Sequence, residues 1–167
     1  INKPLPMDEQ FLELLKKIRV GARNKKLKKF TFEEIDNKVN IKPGQLQKFV
    51  TNEEELIIKL LELERQKFEN IFLTHDFEGV NAIDILLTVS KEIAKDFDFV
   101  NPAITIRLKN KFPKTYQDHF DKRLKFIFDK IQINLTKGIN QGMYREDLSI
   151  ELLARLYLSR LIDIHNP

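Results

Sequence analysis

Residues 31–56 read TFEEIDNKVNIKPGQLQKFVTNEEEL, a segment with two helix-start signals separated by a break that suits a tight turn. Thr31 and Glu34 have the spacing of a capping box, in which the threonine oxygen accepts from the Glu34 amide while the Glu34 side chain reaches back. Phe30 and Ile35 flank this box at the two positions of a hydrophobic staple. The sequence therefore predicts a helix that begins directly after Thr31.

A turn and a second helix are predicted next. Asn40 is the non-glycine residue type that most readily adopts the left-handed conformation that ends a helix. Pro43 suits the first position of a helix, because its ring fixes φ and its missing N–H is not needed there. We therefore expect a short helix over residues 43–49 and a long helix that begins at Asn52. Two helices joined by a tight turn are typical of a helix-turn-helix DNA-binding unit.

This segment resembles the N-terminal domain of the TetR family of bacterial transcriptional regulators, and the two align without a gap. Six residues are identical to the family pattern: Thr31, Ile35, Gly44, Leu46, Glu54 and Leu56. Four more are apolar where the family is apolar: Phe32, Val39, Ile41 and Val50. The resemblance implies an all-α chain, with a three-helix head whose helix-turn-helix spans about residues 31–50. A long helix would join this head to a helical-bundle regulatory body.

The resemblance also implies two domains, a DNA-binding domain over residues 1–51 and an effector-binding and dimerisation domain over residues 52–167. Apolar residues at helical spacing predict helices at about residues 8–22, 52–72, 81–97, 102–111, 113–140 and from 149 to the end. Residues 138–148 look like the break that precedes the last helix in many TetR-like regulators. The implied assembly is a homodimer that forms through the last two helices.

The candidate DNA-binding residues are Thr31, Lys42, Gly44, Gln45, Gln47 and Lys48. Glutamine can form a bidentate pair with adenine, and lysine suits phosphate, so we expect Gln45, Gln47 and Lys48 on the exposed side of the second helix. Gln47 replaces a tyrosine of the family and Glu53 a lysine, both of which usually contact phosphate. We therefore expect weaker DNA binding than a typical member shows.

Asp36 stands where the family has a small buried alanine. An unpaired carboxylate inside a helical core would be costly. We therefore expect Asp36 to be partly exposed, or paired with a lysine such as Lys38 or Lys29.

The charge of the chain changes sign along its length. Residues 1–50 contain 12 basic and 6 acidic residues, residues 51–100 contain 5 and 12, and residues 101–167 contain 12 and 7. A basic N-terminal segment before an acidic one favours a DNA-binding head, since phosphate contacts supply much of the affinity for DNA. The alternative is that the loop lysines, Lys25, Lys26, Lys28 and Lys29, only solvate a loop.

The body is rich in aromatic residues, which can enclose an apolar pocket that contains a few polar groups. We expect a mostly apolar cavity between the helix that begins at Asn52 and the helix after Pro113. The candidate ligand-binding residues are Phe68, Phe72, Tyr116, His119 and Phe120. The implied partner is a small apolar effector, although an aromatic stripe at helical spacing is also what a plain core requires.

Several other functions find no support in the sequence. The chain contains no cysteine, its three histidines lack metal-ligand spacing, and it has no glycine-rich phosphate loop or nucleophile signature. We therefore expect no enzyme activity, no metal, no cofactor and no membrane association. The favoured interpretation is a cytoplasmic, ligand-responsive repressor that binds double-stranded operator DNA as a dimer. The alternative is a TetR-like dimeric module that holds an apolar ligand or protein partner and has lost operator binding.

Overall fold

The computed structural model describes residues 8–24, 27–95 and 102–165. Over these residues the chain forms only helices and turns, so the all-α prediction is confirmed. The elements in chain order are α1 (Glu9–Arg23), α2 (Phe32–Val39), a 3-10 turn (Leu46–Lys48), α3 (Glu53–Thr74), α4 (Ala82–Lys95), α5 (Pro102–Lys111), α6 (Pro113–Asn140) and α7 (Ile150–His165). We refer to residues 8–51 as the N-terminal part and to the remainder as the C-terminal part.

Side-chain caps explain where the first helices begin. Asp8 precedes α1 and accepts hydrogen bonds from the amides of Gln10 at 2.8 Å and Phe11 at 3.2 Å. Thr31 precedes α2, and its Oγ1 accepts from the Glu34 amide at 3.3 Å. Such caps satisfy amides that have no partner within the helix. The predicted start of α2 is therefore confirmed.

The ends of α2 and the start of α3 are also as predicted. Asn40 ends α2 in the left-handed conformation, with φ 57°. Asn52 precedes α3, and its Oδ1 accepts from the amide of Glu55 at 2.8 Å. The Glu55 carboxylate in turn accepts from the Thr51 amide at 2.6 Å. Short polar side chains at these positions thus set both helix boundaries.

The predicted α-helix over residues 43–49 is wrong. Gly44 has φ +80°, a conformation that an α-helix cannot contain. The Gln45 amide donates to the Lys42 carbonyl at 3.0 Å, so Pro43 and Gly44 occupy the two central positions of a β-turn. Proline followed by glycine with positive φ is the residue pattern of a type II turn. Pro43 therefore begins a turn, and only the 3-10 turn Leu46–Lys48 follows it.

One apolar cluster dominates the interior and lies mostly in the N-terminal part and the first half of α3. Its buried members are Phe11, Leu14, Leu15, Ile18, Leu27, Phe30, Ile35, Ile41, Leu46, Val50, Leu56, Ile57, Leu61 and Leu108. Leu108 belongs to α5, so the C-terminal part packs directly on this cluster. Two side chains of α5 strengthen that contact: Arg107 donates to the Leu27 carbonyl at 2.9 Å and Lys111 to the Lys29 carbonyl at 2.7 Å.

The C-terminal part is organised around α6, which packs against α3, α4, α5 and α7. At its end, the Met143 amide donates to the Gly138 carbonyl at 2.8 Å and the Gly142 amide to the Ile139 carbonyl at 2.9 Å. This pair of bonds is a Schellman motif, which closes the helix. The predicted break between the last two helices is present, with Gly138 inside the last turn of α6 rather than after it.

Candidate functional site

The turn after α2 presents a polar surface above apolar anchors. Lys42, Gln47 and Lys48 are exposed, and Gln45 is half-buried. Leu46 lies buried beneath them. The outward positions expected for Gln47 and Lys48 are therefore present, although a 3-10 turn carries them. Gly44 is exposed within the same turn.

A second anchor stacks this turn on the first helix. The rings of Phe49 and Phe11 stack with centroids 4.9 Å apart. Val50, the next residue, is buried. The turn is thereby held against α1 by apolar contacts on one side, which leaves its polar side chains on the other.

Thr31 and Glu34 hold the start of α2 and the loop before it in place. Thr31 is half-buried and occupied with capping α2. The Glu34 carboxylate accepts the amides of Lys28, Lys29 and Phe30 at 2.8, 2.6 and 2.9 Å, rather than the Thr31 amide that a capping box would use. Burial tends to raise the pKa of Glu34, but these three amide donations outweigh it and lower the pKa.

The loop that Glu34 holds is conformationally unusual. Phe30 has φ 55°, in the left-handed region that bulky residues rarely adopt. Its ring is nevertheless buried in the main apolar cluster, as the hydrophobic staple predicts. Lys28 and Lys29 on this loop are exposed, whereas Lys25 and Lys26 lie outside the described residues.

Acidic groups also lie on α2 and at the start of α3. Glu53, in the first turn of α3, accepts the Phe32 amide at the start of α2 at 3.4 Å. A carboxylate therefore lies between two helix N-termini, which would otherwise favour a phosphate. Asp36 is partly exposed, as expected, but its Oδ1 is buried without a hydrogen-bond partner among the described residues. Burial raises the pKa of Asp36, and no lysine pairs with it there.

A cavity of about 210 Å³ lies between the N-terminal and C-terminal parts. Its wall contains side chains from α1, from Phe30 and from α3, α4, α5 and α6. Three of the five candidate ligand-binding residues line it, namely Phe68, Tyr116 and His119. Phe72 and Phe120 do not line it.

Aromatic packing accounts for the positions of these two rings. Phe72 makes edge-to-face contacts with Phe68, Phe77 and Phe126 at centroid distances of 6.2, 6.2 and 5.5 Å. Phe120 stacks on Tyr116 at 6.3 Å. Such contacts stabilise a core. The aromatic residues of the body thus divide between a packed cluster and a cavity wall.

The charged side chains of the cavity were not among the residues predicted from the sequence. Arg19 of α1 forms an ion pair with Glu64 of α3, and Arg65 and Arg123 also line the wall. Arg123 lies seven residues after Tyr116 and four after His119, so helical spacing places all three on one face of α6. This spacing, with an arginine on an otherwise apolar face, is the sequence feature that could have identified Arg123 as a cavity residue.

Burial strongly perturbs the titration of these groups. Burial, together with the positive charges of Arg123 and Arg65, lowers the pKa of His119 to about 4. His119 is therefore neutral at pH 7, with its Nδ1 3.5 Å from Nη1 of Arg65. Burial also lowers the pKa of Arg123, and it raises that of Glu64 despite the neighbouring Arg19.

No protein-family model, no curated protein and no solved structure matches this chain. Within the part of the chain that the structure describes, no helix has the length and apolar character needed to cross a membrane. Over the same residues, no three His, Asp or Glu side chains cluster as metal ligands would.

Proposed function

We propose that the protein is a cytoplasmic, dimeric DNA-binding regulator whose affinity for DNA responds to a small ligand in the cavity. The observation that carries this proposal is the shared wall of the cavity. Ile18 and Arg19 of α1 and Phe30 of the loop before α2 face side chains of α3 to α6 across it. A ligand there touches both the proposed DNA-binding head and the body, so it can favour one relative position of the two.

The proposal for the head rests on the resemblance to the TetR family and on the exposed turn. In this interpretation residues 1–51 form the DNA-binding domain, with α1 as support and the turn entering the major groove. Gln45 and Gln47 read bases while Lys42 and Lys48 bind phosphate. Two heads of a dimer would contact half-sites about 34–36 Å apart, or a multiple of that distance.

Fluorescence anisotropy titrations test the head directly. The probes are duplexes from the DNA that flanks the gene and a random duplex, each titrated at several salt concentrations. We expect a specific complex whose affinity falls steeply with salt, because bound lysines release counterions. Lys48→Ala should weaken binding to all duplexes and reduce the salt slope by about one, whereas Gln45→Ala should relax sequence preference.

A matched control uses an exposed lysine of the body. Lys114, at the start of α6, is exposed like Lys48. Lys114→Ala carries the same loss of charge but should leave both affinity and salt slope unchanged. A flat titration at low salt with every duplex would overturn the proposal for the head.

A second candidate function is a dimeric binding module that holds a ligand or a protein partner without reading DNA. Two observations favour it: the exposed element is only a single 3-10 turn, Leu46–Lys48, and the Glu53 carboxylate lies at the N-terminus of α2. A short element presents few side chains to a groove, and a carboxylate repels phosphate. The same anisotropy titrations separate the two candidates.

A further inference from the structure

The cavity carries a surplus of positive charge. Four basic side chains line it, Arg19, Arg65, Lys67 and Arg123, against the two acidic side chains of Glu64 and Glu92. Both carboxylates already have a cationic partner, since Arg19 binds Glu64 and Lys95 binds Glu92. His119 contributes no charge at pH 7, because its pKa is about 4. Among the described residues that line the cavity, basic side chains therefore outnumber acidic ones by four to two.

Arg123 is the basic side chain of the cavity that an anion could best neutralise. Its guanidinium lies 5.8 Å from the centre of the Phe68 ring, and it makes no direct hydrogen bond or ion pair with any described residue. Tyr116 and Glu64 influence its pKa only as nearby groups, while burial is the largest effect and lowers it. A partly buried guanidinium that no anion contacts directly is poorly compensated for its lost hydration, so an anion that binds it gains interaction energy.

Arg65 faces the same space from α3. Its Nη1 is 3.5 Å from the neutral His119 ring, and its Nε is 3.9 Å from a carboxylate oxygen of Glu69. Neither is a close ionic contact. Two arginines on α3 and α6 thus flank His119, and two guanidinium groups can bind the two oxygens of one carboxylate.

Apart from Thr105, Tyr116 and the neutral His119, the rest of the wall is apolar, and the space is small. Its apolar side chains include Ile57, Leu60, Leu61, Ile93, Ile104 and Leu108. The volume of about 210 Å³ is below the roughly 300–1,000 Å³ typical of pockets for drug-sized ligands. The ligand must therefore be a small molecule with an apolar skeleton.

We infer that the cavity binds a small organic carboxylate, with the carboxylate between Arg65 and Arg123 and a short apolar skeleton against the isoleucine and leucine side chains. This rests on the ligand site of the proposed function, and it replaces the small apolar effector expected from the sequence with an anionic one. Neutral and cationic molecules of the same shape leave Arg123 without a direct anionic contact. The charge of the head group therefore decides binding.

Thermal unfolding and calorimetry of the full chain test this inference. The probes are straight-chain carboxylates from butanoate to octanoate, together with phenylacetate, at constant ionic strength and pH 7.5. Hexanamide and hexylamine match hexanoate in skeleton but not in charge. We expect at least one carboxylate to raise Tm with saturation, by mass action, and neither the amide nor the amine to do so.

Arg123→Gln provides the decisive variant, and Lys122→Gln, its exposed neighbour on α6, is the control. Arg123→Gln should weaken carboxylate binding by about tenfold or more, while Lys122→Gln leaves it unchanged. In the absence of ligand, Arg123→Gln should keep or raise Tm, because it removes a partly buried charge that no anion contacts directly. A merely structural arginine would instead lower Tm.

Several results would overturn the inference. They are equal Tm shifts with hexanamide or hexylamine, unchanged carboxylate affinity in Arg123→Gln, or no shift with any carboxylate of the series. None of these measurements contains DNA, so failure of the DNA-binding proposal leaves the test intact. Conversely, DNA binding without carboxylate binding would overturn only the ligand assignment.

Discussion

His119 links a buried residue to an expected pH dependence. Its pKa falls from 6.5 in the unfolded chain to about 4 in the folded protein, chiefly through burial. The unfolded state therefore binds more protons between these two values, and stability is lost as the pH falls through this window. The difference in pKa contributes on the order of 3 kcal/mol to the free energy of unfolding at pH 7, and this contribution is lost by pH 4. Urea unfolding between pH 7 and pH 4 measures it.

A variant isolates this contribution from the carboxylates that titrate nearby. His119→Gln keeps a polar side chain beside Arg65 but cannot be protonated. Its free energy of unfolding should therefore change less between pH 6.5 and pH 4 than that of the wild type. Parallel pH profiles of the two proteins would show that His119 is not the titrating group.

Glu34 stabilises the loop before α2 through three backbone hydrogen bonds. Glu34→Gln keeps the size of the side chain but replaces one acceptor oxygen by an amide nitrogen. We expect the free energy of unfolding to fall by about 1–3 kcal/mol, as for hydrogen bonds to charged groups. Glu33→Gln alters an exposed carboxylate in the same helical turn and should change the free energy of unfolding by less than about 0.5 kcal/mol. Equal losses in the two variants would contradict the assigned role.

Local chemistry explains which single residues were predictable. Thr31, Asn40 and Asn52 act on amides and carbonyls within a few positions of themselves, so their spacing in the sequence predicts their roles. The partners of Glu34 depend on a loop that folds back over the helix. Arg123 depends on what α3 and α5 place opposite it. Local spacing shows which face of α6 Arg123 occupies, but it shows neither the loop partners of Glu34 nor the groups that lie opposite Arg123.

At the scale of elements, the junction of α6 and α7 depends on a close contact. A Cβ atom added at Gly138 would lie 2.0 Å from the Tyr144 ring, far too close for atoms in contact. Gly138→Ala should therefore destabilise the protein by about 1–3 kcal/mol, as expected for overpacking. Chemical denaturation measures this loss.

A double-mutant cycle tests the stated cause. Tyr144→Ala removes the ring that the new methyl group would meet, so Gly138→Ala should cost little in that background. Because alanine favours a helix over glycine, it could even stabilise the double variant. An equal cost of Gly138→Ala with and without the Tyr144 ring would place the strain elsewhere.

The same scale shows why one element was mispredicted. Both interpretations of Pro43 use its fixed φ, since proline suits the first turn of a helix and the second position of a β-turn. The next residue decides between them, because Gly44 adopts positive φ without strain. Leu46 and Val50 then reach the core through a 3-10 turn instead of an α-helix.

For the whole molecule, apolar periodicity predicted the helices well, because each helix needs one buried face. The cavity was predictable only in part. Phe68, Tyr116 and His119 lie on stripes that the sequence shows, but the volume between them depends on five separate elements. The hydrogen bonds from Arg107 and Lys111 of α5 to the carbonyls of Leu27 and Lys29 join residues about eighty positions apart, which sequence spacing does not reveal.

The last two helices expose apolar side chains that a monomer would leave in water. Leu152 and Leu156 of α7 are 57% and 55% exposed, and they lie four residues apart on one face of the helix. Ile133 of α6 is 60% exposed and Tyr157 is 47% exposed. Ala154 is buried, so α7 uses its small side chain to pack inward. A second copy that packs α6 and α7 against the same pair would cover these residues in a four-helix arrangement.

We therefore expect light scattering to give a mass of about twice 19.8 kDa at micromolar concentration. Leu156→Glu places a charge in the proposed interface and should give the monomer mass with an unchanged helical spectrum. Ile106→Glu, at an equally exposed apolar position on α5, should remain dimeric. A monomeric wild type would exclude this face as a dimer interface. A dimer that persists in Leu156→Glu would also exclude it, because an interface at this position would have to bury an unpaired carboxylate at a large cost in free energy.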